Sequence, residues 1–211
     1  MDQELSAGLK LYLITDRKLF STQCSMYLAM EDALEAGVKT VQLREKDLSV
    51  RELFHMAVWL RELTKEHGAR LFINDRVDVA IASGADGVHL GRSSMPVHAV
   101  RKLVGESMII GVSSHSVQEA REAEEEGADF ITLGPVYATP SKLKYGDPVG
   151  LNMVKEVKSV GAIPLLAIGG IKPDNAKEVM DSGADGLALI TGILASVNIR
   201  KATEAILRVL Q

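Results

Sequence analysis

The chain has 211 residues, 46% hydrophobic and 25% charged, with a formal net charge of -4. That is the composition of a soluble globular protein, and it excludes a general basic face for nucleic acid. The single cysteine, Cys24, excludes an intrachain disulfide and a cysteine zinc cluster, and no apolar run nears the roughly 18 residues of a membrane span.

In chain order, the start MDQELSAGLK lacks the basic-then-apolar pattern of a signal peptide, so one cytoplasmic domain over residues 1–211 is expected. Leu9 to Thr15 reads as a first strand, and Ser25 to Ala36 as a helix closed by Gly37. Thr40 to Asp47, TVQLREKD, is a strand running into charge. Strand alternation puts Gln42, Arg44 and Lys46 on one face, and Val41, Leu43 and Glu45 on the other. Polar groups on the inward face of a buried strand are costly unless something binds them. The competing reading is a solvated strand end whose cations pair with acids. Ser49 caps a helix with an apolar stripe of Leu53, Met56, Ala57, Leu60 and Leu63.

Strands follow at Arg70 to Asn74, Gly87 to Gly91 and Met108 to Ser113, with helices over Val77 to Ser83 and from Pro96. Ser116 caps a helix to Glu126, with Glu119 as its capping-box partner. A strand from Phe130 to Pro135 leads into a long loop, Val136 to Pro148. Strands at Pro164 to Gly170 and Gly186 to Gly192, each followed by a helix, complete the pattern.

Eight short, almost wholly apolar strands alternating with helices point to a single (β/α)8 TIM barrel, with an open doubly wound sheet as runner-up. Three near copies, GADGVHL, GADFITL and GADGLAL, put Asp86, Asp129 and Asp185 at the amino ends of strands. That end of the fold is structural, so these acids are assigned a turn role and no chemistry.

Catalytic groups of such a barrel sit on the loops after the strands. Those ends carry Gln42, Arg44 and Lys46, Asn74 and Asp75, His89 with Arg92 and Ser94, Ser113 and His115, Thr139, Ser141 and Lys142, then Gly169–Gly170 and Thr191–Gly192. The glycine turns after the last two strands offer backbone N–H groups to a phosphate, or else mark tight packing. Arg44, Lys46, Asn74 and Lys142 beside Asp75 suit a diphosphate with Mg²⁺. Two anion sites in one mouth suggest a transfer between small phosphorylated substrates.

The motifs QLREK, FINDR, GVHLG, GVSSH, LGPVYATPSK and AIGGI, in this order along the chain, resemble the thiamine phosphate synthase and TenI superfamily. The resemblance implies condensation of hydroxymethylpyrimidine diphosphate with a thiazole ethyl phosphate, through ionisation to a pyrimidine-methyl cation. It implies that Gln42, Arg44, Lys46, Asn74, Ser113 and Lys142 hold the pyrimidine diphosphate, and that Asp75 binds Mg²⁺. Thr139, Ser141, Gly170, Ile190 and Thr191 would hold the thiazole phosphate. Where the family has a second metal-binding Asp, this chain has Ser94, with Arg92 nearby. The same barrel also serves TenI-type thiazole tautomerases, which use neither metal nor diphosphate; there His115 matches the proton-transfer position. A non-catalytic phosphate-binding barrel is the third alternative. His89 reads as a core or supporting histidine, and a homodimer is allowed.

Overall fold

A computed structural model describes residues 8–139 and 147–210 of the chain. Eight parallel strands close on themselves in sequence order, which settles the choice between barrel and open sheet. They are β1 Leu11–Ile14, β2 Thr40–Leu43, β3 Arg70–Asn74, β4 Gly87–Leu90, β5 Ile109–Ser114, β6 Phe130–Leu133, β7 Leu165–Ile168 and β8 Gly186–Leu189. The helices outside them are α1 Gln23–Glu35, α2 Val50–Glu66, α3 Val77–Ser83, α4 Val97–Val104, α5 Val117–Glu125, α6 Gly150–Val160, α7 Pro173–Asp181, α8 Thr191–Leu194 and α9 Ile199–Val209. Among the described residues no helix is long and apolar enough to cross a membrane.

Most strands are shorter than the apolar runs that announce them. Leu9, Thr15 and Pro164 are as buried as the ladder residues but lie outside the strands, although the Thr15 N–H still donates to the Gln42 carbonyl and the Pro164 carbonyl accepts the Ile131 N–H, each at 2.9 Å. After β6, β7 and β8, the buried Gly134 and the half-buried Gly169 and Ile190 already belong to the connecting loops. Helix α1 begins before Ser25: Thr22 is the cap, and Ser25 completes its capping box from the third helical position. Pro96 is likewise the cap of α4, outside its first turn. Helix α2 follows its sequence signal. Ser49 and Glu52 cap each other reciprocally, and Leu53, Met56, Ala57 and Leu60 are buried against the strands. Thr64, and not Leu63, is the residue fully covered at its far end.

The barrel interior is filled in levels. Tyr12, Phe72 and Phe130 meet edge to face with ring centroids 5.5 Å apart. Leu9, Leu166 and Ala188 complete this apolar plug. The rings need space that neighbouring strands leave open. A Cβ at Gly87 would lie 2.3 Å from Phe72, and one at Gly111 would lie 2.3 Å from Phe130.

The three repeated aspartates do more than turn the chain. Asp86, Asp129 and Asp185 each accept an N–H from the start of the neighbouring strand, from Leu71 at 2.7 Å, Ile110 at 2.7 Å and Leu165 at 2.8 Å. Each also takes a cation at 2.6 Å, from Arg61, Arg101 and Lys158 respectively. Three copies of one clamp thus tie strands and helices together at the amino end of the barrel. The opposite end is left free of that duty.

Candidate active site

Alternation along the strands sets which side chains look into the barrel mouth. Above the aromatic plug, β2 to β6 present Gln42, Asn74, His89, Ser113 and Thr132, a polar arc. On β7, β8 and β1 the same level is apolar: Ile168 and Ile190 pack against the interior cluster that contains Ile14. Half of the mouth therefore hydrogen-bonds and half offers a hydrophobic wall.

The arc continues into charge. Gln42 Nε2 donates to Asn74 Oδ1 at 3.3 Å, and Asn74 Nδ2 donates to Asp75 Oδ2 at 2.7 Å. Lys46 Nζ lies 3.9 Å from the same Asp75 oxygen, and its side chain is 55% exposed. The other Asp75 oxygen accepts the Ser94 hydroxyl and, at 3.4 Å, the Gly91 N–H. Asp75 sits at φ 61, a region that costs an ordinary L-residue energy. The backbone thus aims this carboxylate against its own preference. Arg44 is half-buried, and its guanidinium has no carboxylate partner among the described residues. The competing reading of a paired, solvated strand end therefore holds loosely for Lys46 and fails for Arg44.

What braces Arg44 is Glu45, which alternation places on the opposite face but to which it assigns no role. Glu45 points the opposite way and is buried. It accepts Thr15 Oγ1 at 2.7 Å and the Arg17 N–H at 3.0 Å. Thr15 Oγ1 in turn accepts the Arg44 N–H at 2.9 Å. Burial raises the Glu45 carboxyl above its ordinary range, against the pull of the Thr15 and Arg17 hydrogen bonds. Alternation in QLREK was the available signal, since Glu45 had to face away from Arg44 and Lys46.

His89 is buried in the arc. Its Nε2 lies 3.0 Å from Ser113 Oγ and 3.4 Å from Thr132 Oγ1, and its Nδ1 lies 3.4 Å from the Tyr12 hydroxyl. Burial lowers its pKa to about 3, with the Asp75 charge opposing and the Arg44 charge adding to the shift, so the imidazole is neutral.

His115 stands apart from this group. Its Nδ1 is 2.9 Å from Glu119 Oε2, which also accepts the His115 N–H at 2.8 Å. The expected capping box is therefore only half formed: Ser116 caps the Glu119 N–H at 3.1 Å, while the Glu119 carboxylate serves His115. Partial burial pushes the Glu119 carboxyl up, but the His115 hydrogen bonds and the His115 and Arg92 charges outweigh it and hold it below its ordinary value.

On the other side, the Gly169 and Gly170 turns are shaped by packing. Both have positive φ, and a Cβ would lie 2.5 Å from Pro135 at the first and 2.7 Å from Tyr137 at the second. The chain from β6 thus crosses directly over Gly170, which brings Thr139 to that side. Ile190 caps the short helix α8, opened by the exposed Thr191. Ser141 and Lys142 lie outside the described residues.

The fit of a divalent ion can be judged from the donors. No three His, Cys, Asp or Glu converge among the described residues. Asp75 is a single carboxylate with the Lys46 ammonium 3.9 Å away. That does not make a protein-only cage, but it does suit Mg²⁺, which is commonly held by one or two carboxylates and completed by substrate phosphates and water.

The family model for thiamine monophosphate synthase matches residues 11–193. A thiamine-phosphate synthase of Clostridium novyi is 43% identical over 197 residues, 93% of this chain and 96% of that protein. One from Clostridium acetobutylicum is 44% identical over 193 residues, 90% of each chain. The solved thiamine phosphate pyrophosphorylase from Pyrococcus furiosus is 39% identical, covers 98% of this chain and 97% of its own, and superposes with a TM-score of 0.89. Likeness of this extent, over nearly the whole chain, means that the chain belongs to the thiamine monophosphate synthase family, a transferase family of thiamine biosynthesis.

Proposed function

We propose that the chain condenses hydroxymethylpyrimidine diphosphate with a thiazole ethyl phosphate, giving thiamine phosphate and diphosphate. The observation that carries this is Arg44. A half-buried guanidinium without a carboxylate partner among the described residues, beside Lys46 and Asp75, calls for an anionic ligand. A diphosphate there would be met by Arg44, Lys46, Asn74 and Ser113, with Lys142 joining them. Asp75 would hold a Mg²⁺ that arrives with the diphosphate and neutralises part of its charge when bound. The hydrophobic wall of Ile14, Ile168 and Ile190 suits two flat heteroaromatic rings.

In the proposed dissociative step the bond from the methylene carbon to the diphosphate oxygen breaks, and both electrons leave with the diphosphate. The thiazole nitrogen then gives its lone pair to the methylene carbon. Arg44 and Lys46 stabilise charge growing on the leaving group, while Gln42 and Asn74 hold the pyrimidine end. Thr139, Ser141, Gly170, Ile190 and Thr191 would position the thiazole phosphate. The test is diphosphate release from the pyrimidine substrate, followed with and without Mg²⁺ and thiazole phosphate. Release coupled to thiamine phosphate is expected, and no release under any of these conditions sinks the reading.

One observation favours a second reading. Glu119 engages His115 Nδ1 and leaves Nε2 as a base, the arrangement a proton-transfer isomerase of a thiazole carboxylate phosphate needs. His115→Ala separates the two. Under the condensation reading it costs less than about tenfold, whereas loss of a general base costs about 10²–10⁴.

A further inference from the structure

We propose that Tyr12 and His89 form a buried relay that fixes the Ser113 hydroxyl as a hydrogen-bond donor into the barrel mouth, for an acceptor atom of the bound pyrimidine diphosphate. The identity of that ligand rests on the function proposed above; the relay itself does not.

The direction follows from Tyr12. Its ring is fully buried at the barrel centre, between Phe72 and Phe130. Its hydroxyl meets one polar atom among the described residues, His89 Nδ1 at 3.4 Å. A buried phenol proton left without an acceptor is costly, so that proton points at Nδ1. Nδ1 is then the lone-pair nitrogen, and in a neutral imidazole the ring proton must sit on Nε2. The opposite tautomer would turn Nδ1–H against the phenol and strand the phenol proton among the aromatic rings.

Nε2–H therefore donates, chiefly to Ser113 Oγ at 3.0 Å and more weakly to Thr132 Oγ1 at 3.4 Å. Ser113 Oγ becomes an acceptor on its buried side. Its own proton is not consumed by the ring and is left for the half-exposed side of the residue, toward the mouth. Gly111 keeps the relay intact, because a Cβ there would lie 2.8 Å from His89 Nδ1. Tyr12 and His89 touch no ligand in this scheme; they are positioning residues acting through Ser113.

The direct test is nitrogen-15 NMR of the full-length protein labelled at histidine. His89 is expected as the Nε2–H tautomer, with Nδ1 unprotonated. The Nδ1–H tautomer overturns the proposal whether or not the enzyme makes thiamine phosphate, so the two readings fail separately. Kinetics give a second arm. His89→Leu should raise KM for the pyrimidine diphosphate about tenfold, the scale of one lost neutral hydrogen bond, without raising KM for the thiazole phosphate. His89→Gln, whose amide can present an N–H in place of Nε2, should recover most of that loss. In a Ser113→Ala background His89→Leu should add less than about twofold. Equal losses in the Leu and Gln variants, or full additivity with Ser113→Ala, would show that His89 merely fills space. Tyr12→Phe keeps the ring and the fold, and is expected to release His89 into a mixture of tautomers. An unchanged single tautomer in that variant also defeats the relay.

Discussion

Replacing Ser94 by Asp tests how Asp75 is wired. The Ser94 hydroxyl donates to Asp75, and the Gly91 N–H reaches Ser94 Oγ at 2.7 Å. Ser94→Asp removes a hydrogen bond to a charged group, about 1.5–3 kcal/mol, and sets a second anion against the first. At about 4 Å and an effective dielectric near 20 the repulsion approaches 4 kcal/mol, a ceiling for a pair at the protein surface. With the Asp75 side chain 31% exposed and space beside it, the net cost without metal should be about 2–4 kcal/mol. That lowers Tm by roughly 4–16 °C in a chain of this size. Two carboxylates form a better Mg²⁺ site than one, so Mg²⁺ with inorganic diphosphate should restore more Tm in the variant than in the wild type. The variant should also reach half-maximal activity at lower Mg²⁺. Identical melting without metal, together with coincident Mg²⁺ titrations, would mean that residue 94 does not act on Asp75.

Thr15→Val cuts the brace between Glu45 and the Arg44 backbone while preserving shape; KM for the pyrimidine diphosphate should rise about tenfold, one hydrogen bond's worth, and an unchanged KM would show that the Arg44 loop holds itself. Gly111→Ala should cost about 1–3 kcal/mol in chemical denaturation, because its Cβ must displace Phe130 and His89; a cost near zero would contradict the packing of the barrel centre. The Glu119 carboxyl has a folded pKa below its ordinary value, so it stabilises the fold above the unfolded value near 4.5, and that contribution is lost as pH falls through the folded value. The Tm gap between wild type and Glu119→Gln should therefore shrink on acidification below about pH 4.5, and a gap that widens would reverse the assignment.

The barrel was legible because its strands are buried on both sides, and eight apolar runs at regular spacing admit few other architectures. Strand ends were not, since burial extends past the strands at Leu9 and Thr15. At the site, alternation in QLREK correctly separated Arg44 and Lys46 from Glu45, but only tertiary structure reveals Thr15 as the partner of Glu45 across the gap between β1 and β2. His89 was readable as a supporting histidine, yet its partner Tyr12 lies 77 positions away on a strand that looks merely apolar. Local rules failed most plainly at Glu119: spacing predicts a capping box, and the free backbone N–H and ring nitrogen of His115 compete for the same carboxylate and win.

Aspartates at the two ends of the barrel show that position along a strand, more than residue type, sets what a carboxylate does. Asp129 accepts the Ile110 N–H and holds Arg101, which also donates to the carbonyls of Gly105, Met108 and Gly127. Its lone pairs are spent on the fold. Asp75 is held at positive φ by neighbours that orient it without neutralising it, and Lys46 stands off at 3.9 Å. The same substitution should then cost stability at both ends and turnover at only one. Asp129→Asn keeps an acceptor for Ile110 but not the charge for Arg101, and the three remaining carbonyls limit the loss to about 1–2 kcal/mol of stability, with KM and kcat unchanged. Asp75→Asn keeps a residue that tolerates φ 61 but turns an amide NH2 toward one set of donors, Asn74 or Ser94 with Gly91, so it should cost about 1–3 kcal/mol of stability while Mg²⁺-dependent turnover falls at least about tenfold. Melting curves and steady-state rates on both variants decide it. If Asp129→Asn slows turnover at constant stability, or Asp75→Asn unfolds the protein and spares the rate, then the division between a structural and a chemical end of this barrel is wrong.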